Sequence, residues 1–508
     1  MTDVDVAVVG FGPVGATLAG LLGRRGLRVA VLDREADIYP LPRAAHIDHQ
    51  SLRIFQELGL LHDLLPEMIR NSGLDFVTAR RELLLRIPSD QPSVSGLPLS
   101  MYFHQPSVDR ALRDAASRLP SVTAELRRTV TEIVPERDHV RVVHGATGFG
   151  PRGERWVESE ERRTTTASWV VGCDGARSFV RGACDIEQED LDFHEKWVVV
   201  DLVMDRAVPS LPDHALAVCD PARPMTVIPM PAPRYRFELM LMPGEEPAAM
   251  SAPDMVLGTL LREWVPQGAA RIERSAIYDF FGLVTRPWRR GRVLVAGDAA
   301  HLMPPFLGQG MNSGLRDAAN LAWKLDLVCR GVAPESLLDT YEAERRPHVR
   351  TIVAAAVGFG RIICETDATR AAARDRRLLE DGLSPTDRAR FGLPPLAPGA
   401  LVGEGGGALF PQEPGFAPGG GLDDLVGPRF LVAARSLPDL GDSAAWWRGR
   451  GALVATLAQL DGHGALVEEW LARRDASVVV VRPDRYVLSA GNDLAAITTR
   501  AAGVLSRS

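Results

Sequence analysis

The residues best placed for chemistry are glycines and aspartates at the ends of apolar runs. Gly10-Phe11-Gly12-Pro13-Val14-Gly15 follows VDVAVV directly and opens a helical pattern. Glycine at these three places permits a tight turn, close backbone approach to a pyrophosphate, and tight packing of helix on strand. Pro13 suits a first helical turn, and the helix start offers N–H donors and the positive end of a dipole. Asp33 ends the next apolar run, LRVAVLD, where a dinucleotide site keeps an acceptor for ribose hydroxyls, with Arg34 beside it. A chance glycine cluster would explain GxGxxG alone, but not with two flanking strands and Asp33. The motif does not separate FAD from NAD.

A second constellation does. RVLVA runs into Gly297-Asp298, followed by Pro304-Pro305 and then Gly308, Gly310, Met311 and Asn312 before a helical pattern. An aspartate here can accept from a ribityl hydroxyl, and the prolines fix extended backbone. The glycines bring bare N–H groups and a helix start to a planar ligand whose reduced form carries negative charge. A nicotinamide enzyme has no need of this late site, so the expected cofactor is FAD.

These residues need a sizeable scaffold. The chain has 508 residues, 46% hydrophobic and 24% charged, enough for two or three cores. A net charge of -7 without long like-charged blocks excludes nucleic acid and anionic membranes as obvious partners and points to a small substrate. Five scattered cysteines lack metal or CxxC spacing and read as reduced thiols. With no signal-like start, they point to the cytoplasm. TIVAAAVGFGRII is shorter than the ~20 residues of a membrane span and reads as a core helix.

The opening is strand, turn, helix, strand. SLRIFQELGLLHDLL has amphipathic helical spacing, 106–119 reads as a helix, and 122–172 gives several strands ending in SWVVGCDG. Segments 75–105 and 196–242 alternate like antiparallel strands, so a sheet-rich domain is interleaved with the first. Residues 312–363 are helical, and GLPPLAPGALVGEGGG (392–407) reads as a linker. PRFLVAAR, a helix around GALVEEWLARR and a strand SVVVVRPDRYVLSAG suggest a third α/β unit.

Three motifs, GFGPVG (10–15), GCDGARSFVR (172–181) and AGDAAHLMPPFLGQGMN (296–312), resemble those of the class A flavoprotein aromatic monooxygenases with the para-hydroxybenzoate hydroxylase fold, over roughly residues 1–365. RAAHIDHQSLRIFQELGL and PFLGQGMNSGLRDAANLAWKL are similar to the 3-(3-hydroxyphenyl)propionate hydroxylase-like branch, which often carries a C-terminal thioredoxin-like unit. The implied fold is α/β: a Rossmann-like FAD-binding domain (1–75, 106–185 and 286–365) interleaved with a sheet-rich substrate domain (76–105 and 186–285). A helix and linker (366–419) and a thioredoxin-like domain (420–508) complete it. That last unit has no cysteine, so disulfide chemistry is excluded and a structural or dimer-supporting role is expected, with a homodimer as the assembly.

The resemblance assigns Gly10, Gly12, Gly15 and Asp33 to the ADP part of FAD, and Arg43 and Gln105 to the pyrophosphate and ribityl chain. Asp298 also goes to that chain, and Asp174, Gly175 and Arg181 to FAD and nicotinamide binding. Pro305 falls beside the reaction centre, and Gly310, Met311 and Asn312 supply donors to the ring. It implies that NADPH or NADH, bound transiently, reduces FAD, and that O2 then yields a C4a-hydroperoxyflavin that hydroxylates an electron-rich ring. Oxygen insertion beside a ketone, epoxidation of a polyketide-type substrate, or an escort protein without catalysis are the alternatives.

Activating a phenol calls for a base. His46 and Asp48 share a strand face, and Asp48 lies where a related branch carries an acidic pocket residue. Capping the helix that begins near Ser51, or a hydrogen-bonded core histidine, would explain them equally. As a base, Asp48→Asn loses product and keeps FAD. Tyr102, Arg223, Arg234, Tyr235 and Arg236 lie in the sheet that would roof the pocket, where an arginine can meet a substrate carboxylate, or they are surface strand positions. His301, after the GDAA turn, is read as packed or cofactor-side rather than as a base.

Overall fold

The computed structural model describes residues 2–149, 155–382, 392–417 and 419–506. Val6, Ala7 and Val8 are fully buried because their strand, Val4–Val9, is central in an eight-stranded sheet. It runs parallel to Val29–Asp33 on one side and to the end of Arg155–Gly172 on the other. Val293–Val295 pairs with that same long strand. Three turns therefore leave the sheet at one edge: 10–15 after the first strand, 173–175 after the second and 297–299 after the third. Strands buried on both faces read as unbroken apolar runs, which is what VAVV and VLV are.

The second sheet also has eight strands, in the order 301–302, 270–286, 187–204, 234–240, 225–229, 215–218, 73–77 and 83–88. His46–Asp48, Ser100–Tyr102 and Ile69–Arg70 form a separate three-stranded sheet with Ser100–Tyr102 in the middle. Chain order thus alternates between the sheets, with 73–75 pairing in the second sheet and 100–102 in a three-stranded one. The helix Gly310–Cys329 packs on the helix Pro13–Arg24 at small residues: a Cβ at Gly314 would lie 2.5 Å from Val14. TIVAAAVGFGRII falls inside the helix Asp339–Ile363, with Val353, Ala356, Val357 and Gly360 buried. Among the described residues no helix is long and apolar enough to cross a membrane.

The C-terminal unit has a four-stranded sheet, ordered 453–456, 431–434, 478–481 and 487–491. SVVVVRPDRYVLSAG is a hairpin rather than one strand. It reverses at Arg482–Arg485, where Arg485 takes φ 68°, because the Pro and Asp break the β-branched run. The segment read as a linker is held along this hairpin by Gly403 N–H to Leu488 O and Gly407 N–H to Val487 O, both 2.8 Å. Leu396 and Val402 are buried there with Tyr486. The hairpin tip enters the first layer. Arg482 pairs with Glu344 at 2.9 Å, Asn320 donates to Asp484 at 3.1 Å, and Tyr486 Oη donates to Gln50 at 2.8 Å.

Candidate active site

The two glycine-rich turns close on one cavity. Gly10 takes φ 102°, and a Cβ there would lie 2.5 Å from the Cys173 carbonyl oxygen, so no other residue fits without moving backbone. At Gly12 a Cβ would meet nothing within 4 Å, so this side is open to a ligand. The helix Pro13–Arg24 starts without a side-chain cap, as does Gly310–Cys329, leaving their first amides for an anion or a polarised carbonyl. Gly12, Pro13, Arg43, Gly175, Asp298, Pro305, Gly308, Gly310 and Met311 all line the cavity. Asp298 is exposed, and its carboxylate makes no hydrogen bond among the described residues. Two bare helix starts, an open glycine and a free carboxylate fit the pyrophosphate, ring edge and polyol of FAD.

Other predicted residues hold the cradle from behind. Gln105 Oε1 accepts from the N–H of Arg43 and of Ala44, at 2.8 and 2.6 Å, and fixes that loop. Asp33 accepts from Phe11 N–H at 2.8 Å, Glu35 N–H at 2.9 Å and Arg113 at 3.0 Å. It therefore braces the first turn and does not line the cavity. Arg34 is exposed near Glu35. Asp174 binds the start of the helix Phe179–Ala183 through Ser178 and Val180 N–H, and Arg181 reaches the Ala299 and Ala176 carbonyls, joining the second turn to the third. His301 is fully buried on Asp317, which also takes Gly297 N–H and Arg345.

His46 and Asp48 separate in role. Asp48 Oδ1 accepts from Gln50 and Ser51 N–H, capping the helix His49–Leu58, and its Oδ2 takes Arg316 at 2.6 Å. Burial would raise the Asp48 pKa, but the Arg316 guanidinium holds it well below the usual carboxylate range. Asp48 thus makes the cap that the sequence offered as the alternative to a base, with its second oxygen committed to Arg316. His46 lies against Gly308: Nδ1 is 3.1 Å from the Gly308 carbonyl and Nε2 is 2.7 Å from Ser100 Oγ. A carbonyl only accepts, so Nδ1 carries the proton and Nε2 accepts from Ser100. Burial lowers the His46 pKa and favours this neutral form. Asn312 donates to the His46 and Gly308 carbonyls and accepts from Asp48 N–H and Ser51 Oγ.

A family described as FAD binding domain matches residues 3–356. The chain belongs to this family of FAD-dependent aromatic hydroxylases. A probable NADH-specific resorcinol 4-hydroxylase of Rhodococcus jostii (strain RHA1) is 36% identical over 97% of this chain and 93% of its own. The 3-(3-hydroxy-phenyl)propionate/3-hydroxycinnamic acid hydroxylase of Klebsiella pneumoniae subsp. pneumoniae is 33% identical over 95% of this chain and 91% of its own. The structure of aklavinone-11 hydroxylase with FAD and aklavinone is similar at a TM-score of 0.79 and 21% identity, over 99% of this chain and 98% of that one. The resemblance seen in the three motifs thus extends across the C-terminal unit. The protein is an oxidoreductase that uses FAD, a nicotinamide donor and O2.

The hydroxylase's substrate sheet corrects three expectations. Arg223 pairs with Glu245, Arg234 with Glu273, and Tyr235 Oη donates to the Pro212 carbonyl; none of the three lines the cavity. Tyr235 packs into a second core on the sheet's outer face, beneath residues 250–265, because its parity is opposite to that of Arg236. Tyr102 does line the cavity, buried, with Oη donating to Asn71 at 2.8 Å, and burial raises its pKa. Arg236 also lines it, but binds Asp201 and the Pro42 carbonyl. Sequence reasoning missed Arg316, Asn71, Ser100 and Asp201. The one available signal is a charge set between apolar neighbours in each of two strands, Asp201 in 187–204 and Arg236 in 234–240, which the fold sets opposite each other.

Proposed function

We propose that the substrate is a small phenol, that NADH is the donor, and that reaction occurs where the helix start at Gly310 meets the substrate sheet. One observation carries this. A single cavity of 2290 Å³ runs from the first glycine turn to the sheet, more than twice the roughly 1,000 Å³ upper range of one-ligand pockets, so dinucleotide and substrate share it. The names of the two curated relatives support the donor and the substrate class.

Bound FAD supplies hydride acceptance from the nicotinamide and oxygen transfer to the ring. The first amides of Gly310–Cys329 and the helix dipole stabilise negative charge on the ring edge nearest them. Phe306, next to Pro305, is packed edge-on by Phe193 and Trp197, with centroids at 6.1 and 5.4 Å, so the loop keeps its shape. With Asp48 committed to Arg316, His46 is the base. A substrate hydroxyl gives its proton to Ser100 Oγ, Ser100 passes its own to His46 Nε2, and the imidazolium keeps Nδ1–H on the Gly308 carbonyl. The ionised phenol is the stronger nucleophile.

The C-terminal unit is read as thioredoxin-like, supported by two parallel strands continued by an antiparallel hairpin, and structural in role. Five unpaired thiols support a cytoplasmic location. A homodimer is the proposed assembly, tested by sedimentation. The function is tested by anaerobic flavin bleaching with NADH or NADPH across a panel of phenols. Strong acceleration by phenols with NADH supports the reading, whereas FAD that no donor reduces rejects it.

A further inference from the structure

The strand Arg234–Met240 shows its two faces to different surroundings. Phe237 and Leu239 enter the outer core with Val256, Leu261 and Trp264, while Arg236 and Glu238 face the cavity. Register sets Glu238 between Val199 and Thr226, with Ala217 beyond Thr226. Glu238 is 4% exposed, and its Oε2 accepts from Thr226 Oγ at 2.9 Å. That is its one hydrogen bond among the described residues, so Oε1 is left open to the cavity.

A carboxyl group withdrawn from water is costly unless donors meet it, so an open oxygen here calls for a ligand that donates. Burial pushes the Glu238 pKa up and Arg236 opposes the shift. The surrounding wall offers Val199, Ala217 and Ile228, none with a side-chain donor. Cations that could receive a substrate carboxylate are engaged or distant from water-free surroundings. Arg236 and Arg274 bind Asp201 and the Pro42 carbonyl, Arg86 pairs with Asp75, and Arg43 and Arg177 are exposed. An anionic side arm on the substrate would meet the Glu238 carboxyl without a compensating guanidinium.

Resting on the phenol-hydroxylase reading above, we propose that Glu238, seated by Thr226, accepts a hydroxyl of the substrate and selects uncharged rings with two or more hydroxyls over rings bearing a carboxylate. One hydroxyl loses its proton to activate the ring, and the other is held by Oε1. Glu238 thus sets specificity, and neutral 1,3-dihydroxybenzene, phenol and 3-(3-hydroxyphenyl)propionate are the probes that distinguish its effects.

The experiment titrates FAD-loaded protein with each probe, read by flavin absorbance and by the rate of anaerobic reduction with NADH. Wild type should bind dihydroxybenzene most tightly and the propionate most weakly. Losing a charge-assisted hydrogen bond should weaken dihydroxybenzene about 10- to 100-fold in Glu238→Gln and leave phenol unchanged. Glu238→Leu should extend the loss, and Thr226→Val should give a smaller one in the same direction. Equal weakening of phenol and dihydroxybenzene, no weakening of either, or tighter wild-type binding of the propionate overturns the proposal. If no probe perturbs the wild-type flavin, the phenol-hydroxylase reading fails with it.

Discussion

Asp48→Asn separates a structural aspartate from a catalytic one. The asparagine Oδ1 can still accept from Gln50 and Ser51 N–H, so the cap on His49–Leu58 survives. The amide nitrogen, however, would face Arg316, which is buried and left with Gln309 and Ser313. Removing one partner of a buried ion pair costs about 3–5 kcal/mol, and losing a cap about 1 kcal/mol. We therefore expect Asp48→Asn to lose about 3 kcal/mol and Asp48→Ala about 4 kcal/mol. Asp48→Asn/Arg316→Met should regain part of the loss, since no buried charge is then stranded. Urea unfolding followed by tryptophan fluorescence measures the three variants against wild type. Product formation per folded, FAD-loaded molecule should keep its pH profile between about pH 5 and 9, because a carboxylate held so low does not titrate there. Undiminished stability together with loss of an ionisation from that profile would refute this account and return Asp48 to the role of base.

Three further expectations follow from the cradle and its surroundings. Gly15→Ala places a methyl group against the Gly10 carbonyl oxygen, so the variant should purify without FAD; a yellow protein of normal affinity contradicts this. Arg236→Met frees the Arg43 carbonyl from the second sheet and leaves Pro42 to Arg274 alone, and should raise the FAD dissociation constant about tenfold, measured by flavin fluorescence, with an unchanged constant as the contrary result. Burial lowers the His49 pKa to about 4, so its stabilising contribution is complete above the unfolded value near 6.5 and fades as pH falls towards 4. Between those limits wild type should lose about 3 kcal/mol more than His49→Gln, read as the difference in unfolding free energy.

What the sequence reveals depends on how local the cause is. Gly10 and Gly12 are legible because the turn and the ligand impose their own sterics on a few adjacent residues. The interleaving of two sheets is legible because unbroken apolar runs differ from alternating ones. Asp48 was ambiguous, since its partner Arg316 is distant in sequence and only folding brings them together. Arg234 and Tyr235 misled for another reason: the substrate sheet is covered on both sides, so hydrophobic alternation does not say which face meets the cavity. In RYRFELM, Arg236 and Glu238 are polar on a buried face. Such a polar row inside a buried strand marks an internal cavity rather than solvent, and that reading was available.

The hairpin tip at 482–486 has a bearing on how the enzyme is made. Gln50, Asn320 and Glu344 receive partners from a segment near the end of the chain. On the ribosome these positions emerge long before Arg482, Asp484 and Tyr486 exist, leaving Glu344 with Lys324 as its cation until then. A chain cut before Arg482 would therefore hold all its FAD motifs while Gln50, Asn320 and Glu344 lacked the partners that brace the layer carrying those motifs.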